Sequence, residues 1–366
     1  MNRRVTLALL LAVSAAAGSA SAGTWRVEQD GSGQFTTLQP AVDVAASGDT
    51  ILIGPGWYQD LQWVDHFGYP IQVAAYWMDD RELVFVGAGI DHVTIGPLSY
   101  SPYHDGPKGI FHENTNGYTL RVRNLRMINF YTGVFSQNVD VSDCEFEGGR
   151  AGVAAARGGS STVVRCRFSN MTEASCYFYS SGVVNVEDCE LGEYVYFGDT
   201  ATGNLRNSTA NGRALAYYFN SGGVVDGNVA DCYTGNFSIP CLSVAYQSNV
   251  TIVDNVIRGG RTGITIGEST AIAVGNIVED QGLHNIQLQQ GGRLEASSND
   301  FRKAIGSDRF LVWCVDYPGG PQPVVINMEN NYWGYAYADL IDRYIWDHND
   351  DPSLMVWTSP GFVDTP

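Results

Sequence analysis

The chain has 366 residues, with 21 Lys and Arg against 39 Asp and Glu, a formal net charge of -18 and only 16% charged residues. So acidic a chain is repelled by phosphate, which argues against nucleic acid and anionic membrane surfaces as partners. Its 44% hydrophobic and 12% aromatic residues supply a core and exclude disorder, and 42 Gly point to a β-rich, turn-rich protein.

Met1 to Arg4 is a short basic region, Val5 to Gly18 is an apolar run too short to span a bilayer comfortably, and Ala20-Ser21-Ala22 is a small-residue cleavage pattern. Together they predict a signal peptide over 1–22 and a mature chain over 23–366 that is secreted, periplasmic or on the cell surface. No second apolar stretch of about 18 residues follows, so no membrane span is expected. Losing Arg3 and Arg4 leaves 19 basic residues. An oxidising destination permits disulfides, yet seven cysteines are few and odd in number. Cys232 and Cys241 flank a short loop containing Gly, Asn and Pro, and can be bridged or remain thiols.

Within 23–60, Leu38, Ala41, Val42 and Ala45 share one helical face, which suits a cap over an open end. The stretch 56–117 reads as long and irregular, with strand character only at 83–86 and 93–95. It holds most of the histidines, and irregular segments of this length in an ordered protein are often functional.

From there a repeat takes over. Val141-Ser-Asp-Cys144-Glu-Phe146, Val163-Val-Arg-Cys166-Arg-Phe168 and Val186-Glu-Asp-Cys189-Glu-Leu191 align on one short strand. The series continues with Asn in the Cys position at 207, 228, 255, 276, 299 and 330 or 331, mostly 18 to 27 residues apart, and Asn124 extends it upstream. A second strand precedes each of these positions, with Val153, Cys176, Val195, Leu215, Leu242, Ile264 and Ile286 on one face. Each unit is two or three short strands joined by Gly, Ser and Asn turns, too small to bury its own apolar side, so only stacking buries it. Parallel stacking at ~4.8 Å places Asn in an internal ladder, and Cys fits the same narrow slot as a small hydrophobe. This predicts one elongated all-β domain, a parallel β-solenoid of about ten coils.

With its repeat and its two ends, the sequence resembles the right-handed parallel β-helix proteins of the pectin-lyase-like superfamily. The segment Val27-Glu-Gln-Asp-Gly-Ser-Gly to Gly54-Pro-Gly-Trp-Tyr58 is similar to the entry segment of such proteins. Asn330-Asn-Tyr-Trp-Gly334, Asp339 to Asp347 and Asp350-Asp-Pro352 are similar to their closing segment. The closing segment is expected to form a cap over 328–366, with Asp339 as N-cap and Leu340, Ile341, Tyr344 and Ile345 on a short amphipathic helix.

The resemblance implies a site on the outer face. Outward positions of the aligned strand run Phe135, Ala154, Tyr177, Tyr196, Ala216, Ser243, Thr265 and Gln287, and the next outward row includes Tyr179 and Tyr218. Tyr177, Tyr179, Tyr196 and Tyr218 thus predict an exposed aromatic patch suited to sugar faces, or tyrosines packed beneath a covering loop. Glycoside hydrolysis needs two carboxyl groups across the scissile bond, and the long segment offers Asp79, Asp80 and Asp105, with His104 beside them. No spacing singles out a pair. The motif sets of polygalacturonases, pectin methylesterases and alginate epimerases are absent, so catalysis, by lyase or hydrolase chemistry, stays open.

His104 and His112 lack a zinc-binding context. No metal or cofactor is expected; the alternative is calcium at Asp347-x-Asn349-x-Asp351, where Pro352 stands in place of the required Gly and no closing Glu follows. The function expected is therefore binding, with or without degradation, of an extracellular polysaccharide on the outer groove, a neutral glycan fitting the charge better than a polyuronate. The alternative is a non-catalytic surface solenoid acting in adhesion or protein binding. Nothing in the sequence fixes the oligomeric state.

Overall fold

Because no coil can bury its own inner face, equivalent strands of successive coils pair in parallel, edge upon edge. The computed structural model describes residues 22–101, 106–113, 116–200, 202–212, 215–232, 240–302, 310–315, 324–334, 341, 343–346 and 356–359. Twelve strands, from Thr24–Val27 to Arg293–Ser297, form one continuous first face. Shorter strands such as Arg167–Ser169 and Val256–Arg258 form a second face, and strands such as Ala174–Tyr179 and Thr262–Gly267 a third. Two long strands, Arg126–Ser136 and Glu145–Ala156, run round the bend and belong to both of these. The molecule is a right-handed parallel β-helix of about twelve turns.

The core is a set of inward rows, one per face. On the first face Val141, Val163, Val186, Leu205, Val225 and Ile252 are successive register partners, all buried. On the third face the expected row Val153, Cys176, Val195, Leu242, Ile264 and Ile286 is buried as read from the alternation. At the N-terminal end the helix Leu38–Val44 turns Leu38, Ala41 and Val42 inward. Asp49 fastens that end: its carboxylate accepts from the Gly23 and Ala46 amides and from Trp25 Nε1. Burial opposes the charge there, yet these donors hold the carboxyl below its ordinary range.

Three expectations change. The solenoid has twelve turns rather than ten, because 56–117 is regular structure: strands Gly56–Tyr58, Tyr69–Trp77, Val84–Gly87, Val93–Ile95 and Lys108–His112 all join the faces. At the C-terminal end Ile341 is helical, but Tyr344 lies in a turn and Ile345–Trp346 is a strand paired to Val312 and Trp313. Asp339 and Leu340 lie outside the described residues, as do residues 1–21 of the signal peptide. Finally, Asn124, Asn207 and Asn330 are not in the ladder. They occupy the residue before it, with φ of 56°, 48° and 60°, a left-handed position that Asn tolerates.

The ladder itself runs Leu125, Cys144, Cys166, Cys189, Ser208, Asn228, Asn255, Asn276, Asn299 and Asn331. Asn228, Asn255, Asn276 and Asn299 each donate through Nδ2 to the Oδ1 of the next Asn at 2.8–2.9 Å. The same oxygens accept the backbone N–H of the preceding Asn at 2.9–3.0 Å. Asn255 Nδ2 also reaches the carbonyls of Val225 and Val253, at 2.9 and 2.8 Å. The thiols of Cys144, Cys166 and Cys189 point at the equivalent carbonyls, more weakly, at 3.2–3.8 Å. Cys232 and Cys241 are joined by a disulfide.

Replacing Asn276 with Ala strips the acceptor from two buried donors of Asn255, and a loss of about 3 kcal/mol is expected in denaturant unfolding. Cys166→Ala removes only weak bonds and a small volume, at about 1 kcal/mol. A pH dependence follows as well. Burial pushes the thiols of Cys166 and Cys176 well up, and Cys189 is raised first by its contact with Cys166 and then by burial. With folded values above the unfolded one, their stabilisation is complete below pH about 8.5 and is lost as pH rises beyond it. The melting temperature should fall in that range, and less steeply in a Cys166→Ala, Cys176→Ala, Cys189→Ala variant.

Candidate functional site

On the third face, strand alternation that turns Val153 and Cys176 inward turns the intervening row outward, where Tyr76, Phe111 and Phe135 pack with Val64, Ile71 and Val73 of the 62–77 hairpin and Tyr177 and Tyr196 are half-buried. That row runs Tyr76, Phe111, Phe135, Ala154, Tyr177, Tyr196 in consecutive register. Tyr76 stacks on Phe111 (5.9 Å, 29°) and Phe111 on Phe135 (4.7 Å, 14°). Ala154 leaves a dip, and Tyr177 then stacks on Tyr196 at 4.5 Å and 5°. At ~4.8 Å per coil the row is roughly 24 Å long. Tyr196 leans over Gly198, where a Cβ would meet its ring at 2.4 Å, so glycine is what lets the ring lie flat. Burial raises the Tyr177 phenol, and the Glu173 charge adds to it.

Both flanks of the row carry charge. The hairpin Gln62–His66 and Tyr69–Trp77 closes through Phe67-Gly68, with φ of 52° and 84°, the double left-handed turn that suits two-residue hairpins. It sets His66 edge-on to Phe111 at 5.5 Å, with Nε2 2.7 Å from Glu113 Oε1. The Tyr76 hydroxyl donates to Glu113 Oε2 at 3.3 Å. Farther along, the Tyr131 ring has Lys108 Nζ at 4.4 Å and the Arg150 guanidinium at 4.8 Å, and Arg150 pairs with Glu173. Lys108 is one of two lysines in the chain.

Chemically, the face offers flat aromatic surface with polar tips and one hydrogen-bonded His66–Glu113 pair. Glu113 and Glu173 are three coils apart, roughly 14 Å along the axis alone. That exceeds the ~5–9.5 Å over which two carboxyls act on one glycosidic bond, so these two do not form a hydrolytic pair.

Of the residues singled out in the sequence, Tyr177 and Tyr196 lie together here. Tyr179 is 42% exposed on the adjoining outward row, between Ala156 and Gly198. The Tyr218 backbone pairs with Gly198, and its side chain lies outside the described set. Asp79 and Asp80 are elsewhere, in the corner after Trp77: Asp79 binds Arg81, which also donates to the Val42 and Ala45 carbonyls, and Asp80 accepts from Asn116. They tie the helical cap to the solenoid and do not reach the aromatic row. His104 and Asp105 lie outside the described residues, as do Asp347, Asn349 and Asp351. His112 is buried against Trp77 with its nitrogens 3.1 Å from Ser136 Oγ and 3.0 Å from the Asp79 carbonyl, and burial lowers its pKa. Among the described residues no cluster of three or more His, Cys, Asp or Glu could hold a metal ion.

His66, Glu113, Tyr76, Lys108 and Arg150 carry no motif. Extending the outward row back from Phe135 would have found Tyr76 and Phe111, had the longer N-terminal coils not hidden the repeat. The Tyr76 phenol is raised far above its ordinary range, first by burial and then by the Glu113 carboxylate. Glu113→Gln should therefore lower it, while burial still holds it above the ordinary phenol range, read as the absorbance change that Tyr76→Phe abolishes.

A profile of the family described as "Right handed beta helix region" matches residues 108–301, more than half of the chain. No curated protein matches it in sequence. The A-module of the Azotobacter vinelandii mannuronan C-5 epimerase AlgE6 aligns over 89% of this chain and 93% of its own, with a TM-score of 0.51 and 14% identity. The catalytic unit of a GH87 α-1,3-glucanase from Streptomyces thermodiastaticus aligns over 84% and 70%, with a TM-score of 0.50 and 15% identity. At these identities the likeness is one of fold. The chain belongs to the right-handed β-helix family.

Proposed function

We propose that this protein is exported and binds an extracellular polysaccharide along its third face, with sugar rings lying on the Tyr177–Tyr196 stack. The observation that carries this is the outward aromatic row, held in register by strand pairing and opened at Ala154 between two stacked groups. Aromatic faces bury the apolar side of a sugar while tyrosine hydroxyls meet its edge. The basic, apolar and small-residue order of Met1 to Ala22 supports export. The two solved structures are named as an epimerase of mannuronan and a glucanase, both acting on polysaccharides, which agrees with the reading.

We favour binding over hydrolysis because Glu113 and Glu173, the carboxylates on the two flanks of the row, stand too far apart to act on one glycosidic bond. A panel of polysaccharides tested for binding, with product assays alongside, decides the matter. Tyr177→Ala and Tyr196→Ala should each weaken the bound glycan about tenfold, while Asp79→Asn and Asp80→Asn leave affinity unchanged. Undiminished binding by both tyrosine variants, or no binding to any glycan, would overturn the proposal.

A further inference from the structure

At the corner where the third face turns toward the first, equivalent residues of successive coils take the left-handed conformation: Arg157, Ser180, Asp199, Phe219, Tyr246, Glu268 and Gln290, with φ between 50° and 63°, and in the coils of Phe219 and Tyr246 the next residues, Asn220 and Gln247, do so too. The corner does not call for an aromatic residue. Neighbouring coils fill it with small or polar side chains, and a bulky residue at positive φ is unfavourable. Even so, Phe219 and Tyr246 stack there at 4.9 Å and 6° and remain 45% and 47% exposed. The next residue on one side is Asp199 and on the other Glu268, both exposed. The outer face of Phe219 is thus turned toward the coil of Asp199, and that of Tyr246 toward the coil of Glu268.

An exposed aromatic face beside a carboxylate selects cations: the ring quadrupole and the charge attract the same group. The arrangement occurs twice, back to back, with the carboxylates three coils or roughly 14 Å apart along the axis. A chain with net charge -18 also favours a positively charged ligand over an anionic one. Tyr179, 42% exposed, lies on the outward row between this corner and the row of Tyr177 and Tyr196.

We propose that the Phe219–Tyr246 corner is a second subsite that receives ammonium groups of an amino-sugar polysaccharide. The sugar part of this assignment rests on the polysaccharide reading above. The subsite holds a free amine against each outer ring face, with Asp199 or Glu268 as counter-charge, and an N-acetylated sugar, which is uncharged, lacks that contact.

The full-length chain is titrated with a glucosamine hexamer and with the N-acetylglucosamine hexamer at low and high salt. The glucosamine hexamer should bind about tenfold more tightly at low salt, with the advantage shrinking as salt screens the carboxylates. Tyr246→Ser and Glu268→Gln should each weaken it about threefold without changing the N-acetylated hexamer. Ser already occupies this corner at Ser180, so Tyr246→Ser should keep the wild-type melting temperature. Tyr196→Ala should weaken both hexamers. Equal affinities for the two hexamers, or corner variants without effect while Tyr196→Ala still weakens binding, would overturn the subsite and leave the polysaccharide reading standing. If neither hexamer binds and the Tyr177 and Tyr196 variants change nothing across the panel, that underlying reading fails. A lysine hexamer that competes as well as the glucosamine hexamer would overturn the assignment to a sugar.

Discussion

The inner corner between the first and second faces is the constraint on which the rest depends. Strand pairing lapses there for one or two residues in every coil, and the polar groups it exposes point into an apolar column where an unmet partner costs about 1–3 kcal/mol. Asn meets the demand with one side chain: Asn255 Nδ2 reaches two carbonyls and the next Asn, while its Oδ1 takes two donors from the coil before. That fixes the position of each coil on the next to within a hydrogen bond. Register on all three faces of the coils from Asn228 to Asn331 follows, whereas the coils of Tyr177 and Tyr196 meet at this corner through the weaker thiol contacts of Cys166 and Cys189 and are held in register by strand pairing.

The same logic explains what could be read in advance. From Cys144 onward the coils differ little in length, so a single aligned strand revealed the period and alternation gave both the inward row and the outward tyrosines. Asn124 and Asn207 misled by one residue because this corner favours Asn for two unrelated reasons, the ladder and the left-handed turn before it. Upstream, the hairpin 62–77 lengthens the coil between Ile53 and its register partner Gly87, and coil lengths become too uneven to show self-similarity. The pairing of His66 with Glu113, 47 residues apart, arises from how that hairpin folds back on Phe111. Local pattern contains no trace of it.

Charge is distributed by the same stacking. On the second face Arg126, Glu145, Arg167 and Glu190 are successive register partners and alternate in sign, and Arg258, Glu279 and Arg302 do likewise. Each exposed pair contributes little to stability. Their value is that identical positions one coil apart, which would repel if alike, attract instead. Much of the arginine is neutralised this way on the first and second faces, so the acidic excess of the chain is expressed elsewhere, including the corner that carries Asp199 and Glu268.

The carboxamides of the Asn column also share one orientation, each donating toward the C-terminal end and accepting from the N-terminal side. Aligned amide dipoles add, as they do along a helix, so the solenoid has an electrical direction built into its axis. Such a column cannot begin or end arbitrarily. At its far end the Asn331 amide is received by the Ala296, Met328 and Glu329 carbonyls. At its near end the Ser208 N–H donates to Asn228, while the Ser208 hydroxyl accepts from the Cys189 amide and donates to the Arg206 carbonyl. A hydroxyl can face both ways where a thiol accepts poorly. Ser208 is therefore the adaptor between two chemistries, a soft sulfur half and a polar amide half, and the order of the halves along the chain is not interchangeable.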